Sequence, residues 1–232
     1  MIQLYIECPC TSFPRSFARD YKETYLYPPP STIYGFLLSL IGEEDLTTHL
    51  GVELAIGIIG DNPPISRIVR KQRHHKFALG QEAKKRIAKY GEGIYPTSNF
   101  SKPNHQELLT GLRIVVQVNS NEESASVKLT ERISIALLTP TQITRFGGLS
   151  LGESNGLVNG VRSYRESDGV IRWLVKDRRG LIGLPIWINR TTGQGTFQRF
   201  SFGDFCLDCW IKIPLLIPEQ KTKSTKSKKL NS

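Results

Sequence analysis

The sequence predicts an α+β fold whose order of elements is compatible with a ferredoxin-like β-α-β-β-α-β core. Three observations support this prediction: short β-branched runs in the first half of the chain, two segments with apolar residues at helical spacing, and a C-terminal part in which strand-like runs alternate with glycine-rich turns. A chain of 232 residues has an ordinary length for one large mixed domain. We expect residues 1–218 to form that domain.

The first two elements are a strand and a helix. Apolar and polar side chains alternate from Ile2 to Glu7, which predicts a half-buried strand, and a loop rich in Pro, Arg and Tyr follows. A helix should begin at Ser31, a favoured N-cap, and end at Gly42, because apolar residues recur on one face between them. Gly35 costs this helix about 1 kcal/mol relative to Ala. It indicates either a close approach by a backbone or ligand, or a packing contact against the sheet.

The middle of the chain holds two buried strands that are separated by a basic arm. The strands are predicted for ELAIGIIG from Glu53 and GLRIVVQV from Gly111. Between them, at about residues 63–108, apolar periodicity weakens, and from Arg67 to Lys89 nine Lys or Arg residues accumulate around the single acid Glu82. We interpret this segment as an insertion into the core. A solvated charged surface is the alternative interpretation of the charge alone.

A second helix, a glycine-rich turn and a β-rich part follow the arm. Apolar residues at roughly helical spacing predict the helix within Glu122–Leu138, and Pro140 should end it. The next segment, RFGGLSLGESNGLVNGVR from Arg145, has the glycine content of a loop that turns sharply or presses against a ligand. Short strands are predicted for the remainder. The lysine-rich tail at 219–232 has the composition of a disordered segment.

The charge and the cysteines restrict the classes of partner. A net charge of +10 and a pI near 9.5 favour a polyanion, either nucleic acid or an anionic membrane surface. Apolar runs are too short to span a membrane and the N-terminus lacks a secretory signal, so we expect a cytoplasmic protein without a membrane partner. Cys8, Cys10, Cys206 and Cys209 could surround one zinc ion. On strands, however, Cys206 and Cys209 would face opposite ways, so free thiols and no metal or other cofactor are expected.

Three segments together resemble the Cas-five family of CRISPR-associated proteins. They are the first strand with its Arg- and Phe-containing loop, the helix start PPPSTIYGFLLSLIG from Pro28, and the turn GGLSLGES from Gly147, and they lie within Met1–Arg162. The resemblance implies a modified RNA-recognition-motif fold with a β-hairpin thumb. It also implies a non-catalytic subunit of a type I CRISPR RNA-guided surveillance complex (Cascade), a ribonucleoprotein of antiviral defence. This subunit would cap the 5′ handle of the CRISPR RNA. Its implied partners are backbone (Cas-seven-like) subunits, a large (Cas-eight-like) subunit and, through the complex, target DNA.

A single-stranded RNA handle can be held by cations, by aromatic faces and by backbone N–H groups at glycines. The candidate RNA-binding residues are Arg15, Arg19, Tyr21 and Lys22 in the first loop, Ser31, Tyr34 and Gly35 in the helix, Arg70, Lys71, Arg73, His74 and Lys76 in the arm, and Arg145, Gly147, Gly148, Ser150 and Arg162 around the glycine-rich turn. Because free N–H groups at a helix N-terminus favour anions, we expect the helix start to lie near the RNA backbone or the glycine-rich turn.

Other functions remain open. A metal-independent ribonuclease that cuts repeat RNA needs a general base, and His74 and His75 beside Lys71 and Lys76 are the candidates. A basic scaffold that binds RNA without specificity is a third hypothesis, and the same subunit could serve a transposon-associated complex. The sequence carries no P-loop, no evident paired-carboxylate site and no nucleophile elbow, so we expect no enzyme.

Overall fold

A computed structural model of the chain describes residues 1–15, 21–94, 96–145, 147–189 and 192–214, with the backbone alone described for 71–76 and 96–102. In this part of the chain the helices are α1 (Pro30–Leu40), α2 (Gly80–Tyr90) and α3 (Leu129–Leu138). The strands are β1 (Ile2–Thr11), β2 (Tyr21–Lys22), β3 (Glu53–Ile59), β4 (Ile65–Phe77), β5 (Pro96–Asn119), β6 (Gly160–Ser163), β7 (Ile171–Lys176), β8 (Ile182–Ile188), β9 (Gly195–Gly203) and β10 (Ile211–Lys212). The fold is mixed α/β, as predicted.

The strands form one sheet with the order β6-β1-β5-β3-β7-β9-β8, in which neighbours are antiparallel. β10 pairs with β3, and β2 pairs with β5 in the parallel direction. The two faces of the sheet are covered differently. α1 and α3 pack against one face and enclose the main hydrophobic core. The opposite face carries a smaller cluster that includes Tyr5, Ala55, Val115, Trp173 and Cys209.

Strand β5 belongs both to the sheet and to a long arm. It has 24 residues. Its second half lies between β1 and β3, and its first half pairs with β4 from Ile65↔Leu109 to Phe77↔Pro96. The helix α2 lies between these two arm strands in the chain, and none of its residues is buried. The basic segment predicted at 63–108 therefore folds as a two-stranded arm with a helix, while its role as a thumb stays a prediction.

Helix α1 begins differently from the prediction. Its N-cap is Pro29 and its first residue is Pro30, so the prediction of Ser31 as the N-cap is wrong. Proline is favoured at this position because the N–H group that it lacks would have no partner within the helix. The hydroxyl of Ser31 instead donates to the carbonyl oxygen of Pro185, at 3.0 Å. Gly42 follows the last residues of α1 with φ +70°, which confirms its predicted role at the helix end.

The other predicted elements agree with the structure to different extents. The first strand extends beyond Glu7 to Thr11, and the run from Glu53 forms β3 as predicted. The helix predicted within Glu122–Leu138 begins only at Leu129. The β-rich C-terminal part is confirmed by β6 to β10. The tail at 219–232 lies outside the described residues, and no helix that is described is long and apolar enough to cross a membrane.

Candidate nucleic-acid interface

A cavity of about 410 Å³ opens where α1, the glycine-rich turn and β8 meet. Its lining residues come from these elements and from the loop after α1: Ser31, Thr32, Tyr34, Gly35, Phe36, Ser39, Leu46, Ser150, Gly152, Trp187 and Ile188. The first turn of α1 thus lies beside the glycine-rich turn, as the sequence predicts. Three of the candidate RNA-binding residues with accessible surface, Ser31, Gly35 and Ser150, share this cavity.

Gly35 faces open space. A Cβ atom added at this position would meet no heavy atom within 4 Å. The predicted packing contact against the sheet is therefore wrong, and no other backbone approaches closely. Gly35 also lines a second cavity of about 440 Å³, which Arg145 borders on the far side. The absent side chain of Gly35 consequently leaves room for a bound group, and the lining of the second cavity carries the cation Arg145 together with the acids Glu43 and Glu44.

Two aromatic residues form a wall of the first cavity. Tyr34 is 1% exposed, and its hydroxyl donates to the carbonyl oxygen of Leu46 at 2.9 Å. Burial raises the pKa of this phenol. The Tyr34 ring is therefore structural and offers no free face to a base. Trp187 lies near it, with ring centroids 6.1 Å apart, and the buried indole Nε1–H has no hydrogen-bond partner within the described structure.

The glycine-rich turn has an open part and a closed part. Gly147 is exposed with φ +79°, and an added Cβ there would meet nothing within 4 Å. In contrast, a Cβ at Gly152 would lie 2.2 Å from the Ser12 carbonyl oxygen, and one at Gly156 would lie 2.7 Å from the oxygen of Leu151. Near Gly152 the turn packs closely against the rest of the chain. At Gly147 its backbone is exposed, so a phosphate can approach the main chain there.

The base of the arm is attached to the same turn. Lys22 Nζ lies 3.4 Å from Glu153 Oε1, and the amide of Gln106 also donates to the Glu153 carboxylate. The guanidinium of Arg70 contacts the side-chain oxygen of Asn155 when that amide is oriented to accept. These contacts bring two of the predicted cations, Lys22 and Arg70, to the side of the turn that faces the arm.

Comparison with known proteins identifies the family. A family model described as CRISPR-associated protein (Cas_Cas5) matches residues 1–150. The chain is also 32% identical over 209 residues to a CRISPR-associated protein Cas5 of Myxococcus xanthus (strain DK1622), covering 88% of this chain and 89% of that protein. The chain belongs to the Cas5 family. This confirms the resemblance noted in the sequence.

One solved structure extends the likeness in fold beyond the segment that the family model covers. This Cas5 family member is similar in fold to a chain titled "CRISPR RNA-guided surveillance complex", with a TM-score of 0.54, 13% identity, and coverage of 87% of this chain and 89% of that chain. A chain titled "Crystal structure of Cas protein" matches with a TM-score of 0.42 and 13% identity over 92% of this chain and 94% of that one. Because the first match covers more than residues 1–150, the shared fold includes part of the C-terminal third.

Two candidate residues of the first loop of this Cas5 protein have partners within the chain. The Arg15 guanidinium lies 3.4 Å from Glu23 and 5.4 Å from the centroid of the Tyr25 ring, with about half of its side chain (49%) exposed. The Tyr21 hydroxyl donates to Glu107 Oε1 at 2.7 Å, and this bond raises the pKa of the phenol. Arg15 remains accessible to RNA, whereas the Tyr21 hydroxyl fixes β2 to the arm. Arg19 lies outside the described residues.

Arg162 does not join the cavity. It stacks over the Tyr5 ring, 4.2 Å from its centroid, on the face of the sheet opposite α1. Both of its terminal nitrogens donate to Asp168, at 2.8 and 2.5 Å. The hydrogen bonds from Arg162 lower the pKa of Asp168 to about 2. The structure therefore places this predicted RNA contact in a surface ion pair. The side chains of Lys71, Arg73, His74 and Lys76, and of His75, lie outside the description.

Sequence reasoning missed a buried polar network next to α3. His49 is fully buried, its Nδ1 contacts the Glu123 carboxylate, and Arg132 Nη1 donates to its Nε2 at 3.0 Å. Because a guanidinium can only donate, Nε2 is the acceptor of this bond, and the Nδ1 side of the ring faces the carboxylate. The Glu123 carboxylate also accepts from the N–H of Leu129 at 2.9 Å. This bond explains why α3 begins at Leu129 rather than earlier.

The four cysteines do not form one zinc site. Cys8 lies in the core between the sheet and the helices, whereas Cys209 lies in the cluster on the opposite face. All four thiols are free, and among the described residues no group of three or more His, Cys, Asp or Glu side chains could hold a metal. The prediction that Cys206 and Cys209 face opposite ways is wrong, because they lie on a 3-10 turn rather than on a strand.

Proposed function

We propose that this chain is a non-catalytic subunit of a type I CRISPR RNA-guided surveillance complex and that it binds the 5′ handle of the CRISPR RNA. The observation that carries this proposal is the pair of cavities that meet at Gly35. The first lies between the first helix and the glycine-rich turn, which are two of the three segments by which the sequence resembles its family, and the second lies between the same helix, the loop after it and Arg145. RNA handles present unpaired bases, and such bases are bound by insertion between side chains and by stacking.

The charges around the cavities suit a phosphate backbone. Arg145 is exposed at the edge of the second cavity, and Gly147 exposes its backbone two residues further along. Arg15 and Lys22 lie on the other side of the turn, with about half and 42% of their side chains exposed. The first cavity is lined by uncharged side chains, whereas the acids Glu43 and Glu44 also line the second. Cations on two sides of the uncharged first cavity favour a path in which phosphates follow the rim and a base enters between them.

A finer description of the fold supports the same proposal. The central strands follow the order β6-β1-β5-β3, and α1 and α3 lie on the connections from β1 to β3 and from β5 to β6. This arrangement matches the β-α-β-β-α-β order of a ferredoxin-like core, here a modified RNA-recognition motif. In this description the arm formed by β4 and β5 is the thumb. We propose that it contacts the guide RNA and the neighbouring backbone and large subunits in the cytoplasm.

A binding experiment tests the handle. The dissociation constants of the purified chain are measured for an RNA that carries the repeat-derived 5′ handle and for a scrambled RNA of equal length, both at one physiological salt concentration, because phosphate contacts alone depend strongly on salt. We expect tighter binding to the handle RNA. Equal affinities would overturn handle recognition and leave a non-specific basic scaffold.

A matched pair of variants tests the cavity. Gly35→Leu fills the space beside α1, whereas Gly35→Ala adds one methyl group to the same position. Since a single bound base contributes roughly 1–3 kcal/mol, we expect Gly35→Leu to weaken handle binding about tenfold or more. Gly35→Ala should bind nearly as well as the wild-type chain. If Gly35→Leu binds the handle as tightly as wild type, the base does not enter this cavity.

The non-catalytic part of the proposal needs a separate test. Repeat RNA is incubated with the chain in EDTA, and the products are separated on a denaturing gel. We expect intact RNA. Cleavage at one defined position that disappears in the double variant His74→Ala with His75→Ala would show that the chain is a metal-independent ribonuclease and not a non-catalytic binding subunit.

A further inference from the structure

The segment Phe205–Trp210 holds two cysteines that the proposed RNA surface does not use. Residues Leu207–Cys209 form a 3-10 turn between β9 and β10. This turn brings the Sγ atoms of Cys206 and Cys209 to 3.8 Å from each other. A disulfide bond is about 2.05 Å long, so a shift of less than 2 Å in the two sulfurs would allow a bond to form.

The two thiols differ in their surroundings. Cys206 is exposed, whereas Cys209 is 0% exposed and packs in the cluster on the opposite face of the sheet. Burial raises the pKa of the Cys209 thiol to about 11. The backbone N–H of Cys206 points at Cys209 Sγ, at 3.3 Å. An exposed thiol beside a buried second thiol is the arrangement in which the first reacts with an external reagent and the second completes the reaction.

We propose that Cys206 and Cys209 form a thiol–disulfide exchange site whose co-reactant is a small-molecule disulfide of the glutathione class. The Cys206 thiolate attacks one sulfur of that disulfide, so that a mixed disulfide forms and one small thiol leaves. The Cys209 thiol then attacks Cys206 Sγ and its proton passes to the departing small thiolate. This step forms the internal disulfide and releases the second small thiol. The two protein thiols are oxidised by two electrons, and the external disulfide is reduced to two thiols.

Aromatic residues around the turn would report the reaction. Phe205 contacts Trp173 on β7, with ring centroids 5.0 Å apart, and Trp210 on the other side, at 5.8 Å. Two tryptophan rings therefore lie close to the turn that holds the two cysteines. A disulfide quenches the fluorescence of nearby indoles by electron transfer. Oxidation should therefore lower the emission of Trp173 and Trp210, while Trp187 lies in the cavity beside α1 and serves as background.

The test uses the full chain in glutathione buffers of increasing potential. Free thiols are alkylated with iodoacetamide, and the masses of the proteolytic peptides are measured by mass spectrometry. We expect a Cys206–Cys209 peptide that is protected from alkylation and two hydrogens lighter, with lower tryptophan emission, both reversed by dithiothreitol. The ratio of reduced to oxidised pair should fall about tenfold for each ~30 mV increase in buffer potential, as for a two-electron couple.

Two variants and one internal comparison keep the test decisive. Cys206→Ser changes an exposed residue and should abolish both signals, whereas Cys10→Ser, also exposed, should leave both unchanged. The Cys10 thiol of the wild-type chain serves as the accessible reference for reaction with glutathione disulfide. If Cys10 becomes glutathionylated while Cys206 and Cys209 both stay alkylatable at every potential, the proposal is overturned. A disulfide that joins Cys206 to another chain would overturn it equally.

Discussion

The two faces of the sheet differ in how much space surrounds a glycine. On the face covered by helices, Gly35 borders a cavity in which an added Cβ would meet no heavy atom within 4 Å. On the opposite face, a Cβ at Gly57 would lie 2.2 Å from Ile171 Cγ2 and 3.2 Å from Trp173 Cε3. One glycine therefore leaves room for a ligand, and the other permits close packing. In the proposed function, the RNA-binding candidate lies on the helical face, where the described residues leave unfilled space beside α1.

The helical face nevertheless contains a tightly packed polar network, and removing it should have the largest effect. Glu123→Ala deprives the Nδ1 atom of buried His49 of its partner and removes the acceptor for the Leu129 N–H. Because a buried group is left unpaired, we expect a loss of roughly 3 kcal/mol in the free energy of unfolding. Urea denaturation measures it.

The neighbouring residue provides the control for that variant. Glu122 forms a surface ion pair with Lys212, and 61% of its side chain is exposed. Glu122→Ala should cost no more than about 1 kcal/mol. Equal losses in the two variants would show that the buried network contributes nothing beyond a surface contact.

The next effect concerns the opposite face. Gly57→Ala forces a methyl group into Ile171 and toward the carbonyl oxygen of Arg172, at 3.3 Å. Overpacking of this kind costs roughly 1–3 kcal/mol, which urea denaturation should detect. Gly183→Ala in β8 is the matched control, since a Cβ at Gly183 would meet nothing within 4 Å. If both variants are equally stable, this face is not closely packed at Gly57.

A smaller effect of opposite sign is expected at Gly35. Gly35→Ala adds a helix-favouring residue in open space, so the free energy of unfolding should increase by about 0.5–1 kcal/mol. Gly42→Ala should instead decrease it, because Gly42 has φ +70° and its Cβ would lie 2.3 Å from the Thr144 carbonyl oxygen. Thermal melting of both variants measures the contrast. A loss of stability in Gly35→Ala would mean that the cavity beside α1 is filled in solution.

The smallest effect is the pH dependence of the Arg162–Asp168 pair. The pKa of Asp168 is lowered to about 2 in the folded chain, chiefly by hydrogen bonds from Arg162, against about 3.9 when unfolded. A depressed pKa stabilises the fold above the unfolded value, and this contribution is lost as the pH falls from about 4 to about 2. The melting temperature of Asp168→Asn should therefore be below wild type at pH 5 and converge on it at pH 2. Arg162→Gln should remove the same pH dependence, and its persistence there would exclude the pair as the cause.

Local patterns in the sequence predict the strands well and the site only in part. Alternation locates β1, and the β-branched run locates β3, because burial on a sheet imposes those patterns directly. Helix α2 was missed because none of its residues is buried, so no buried apolar stripe marks it in the sequence. Gly35 could be singled out from its position in a helix. Trp187 could not, because it reaches the cavity from a strand more than 150 residues further along the chain.

Long-range partners explain the remaining errors. The start of α3 depends on a carboxylate six residues earlier that is also held by His49, 74 residues away. Arg162 follows the glycine-rich turn in the chain, but the pairing of β6 with β1 places it on the opposite face from the cavity, and its contact with RNA stays a prediction. Sequence spacing describes neighbours along one element. It does not describe which face of the sheet a connection reaches.

The sharing of β5 between sheet and arm limits how the arm can vary among related chains. The residues of β5 must keep their pairing register with β1 and β3 at one end of the strand and with β4 at the other. Successive side chains of a strand point to opposite sides. Losing one residue from each arm strand would therefore turn every side chain in the outer part of the arm to the opposite face. Natural changes in arm length should therefore come as even-numbered insertions or deletions in both strands, so that the reach of the arm alters while the surface offered to its partner stays the same.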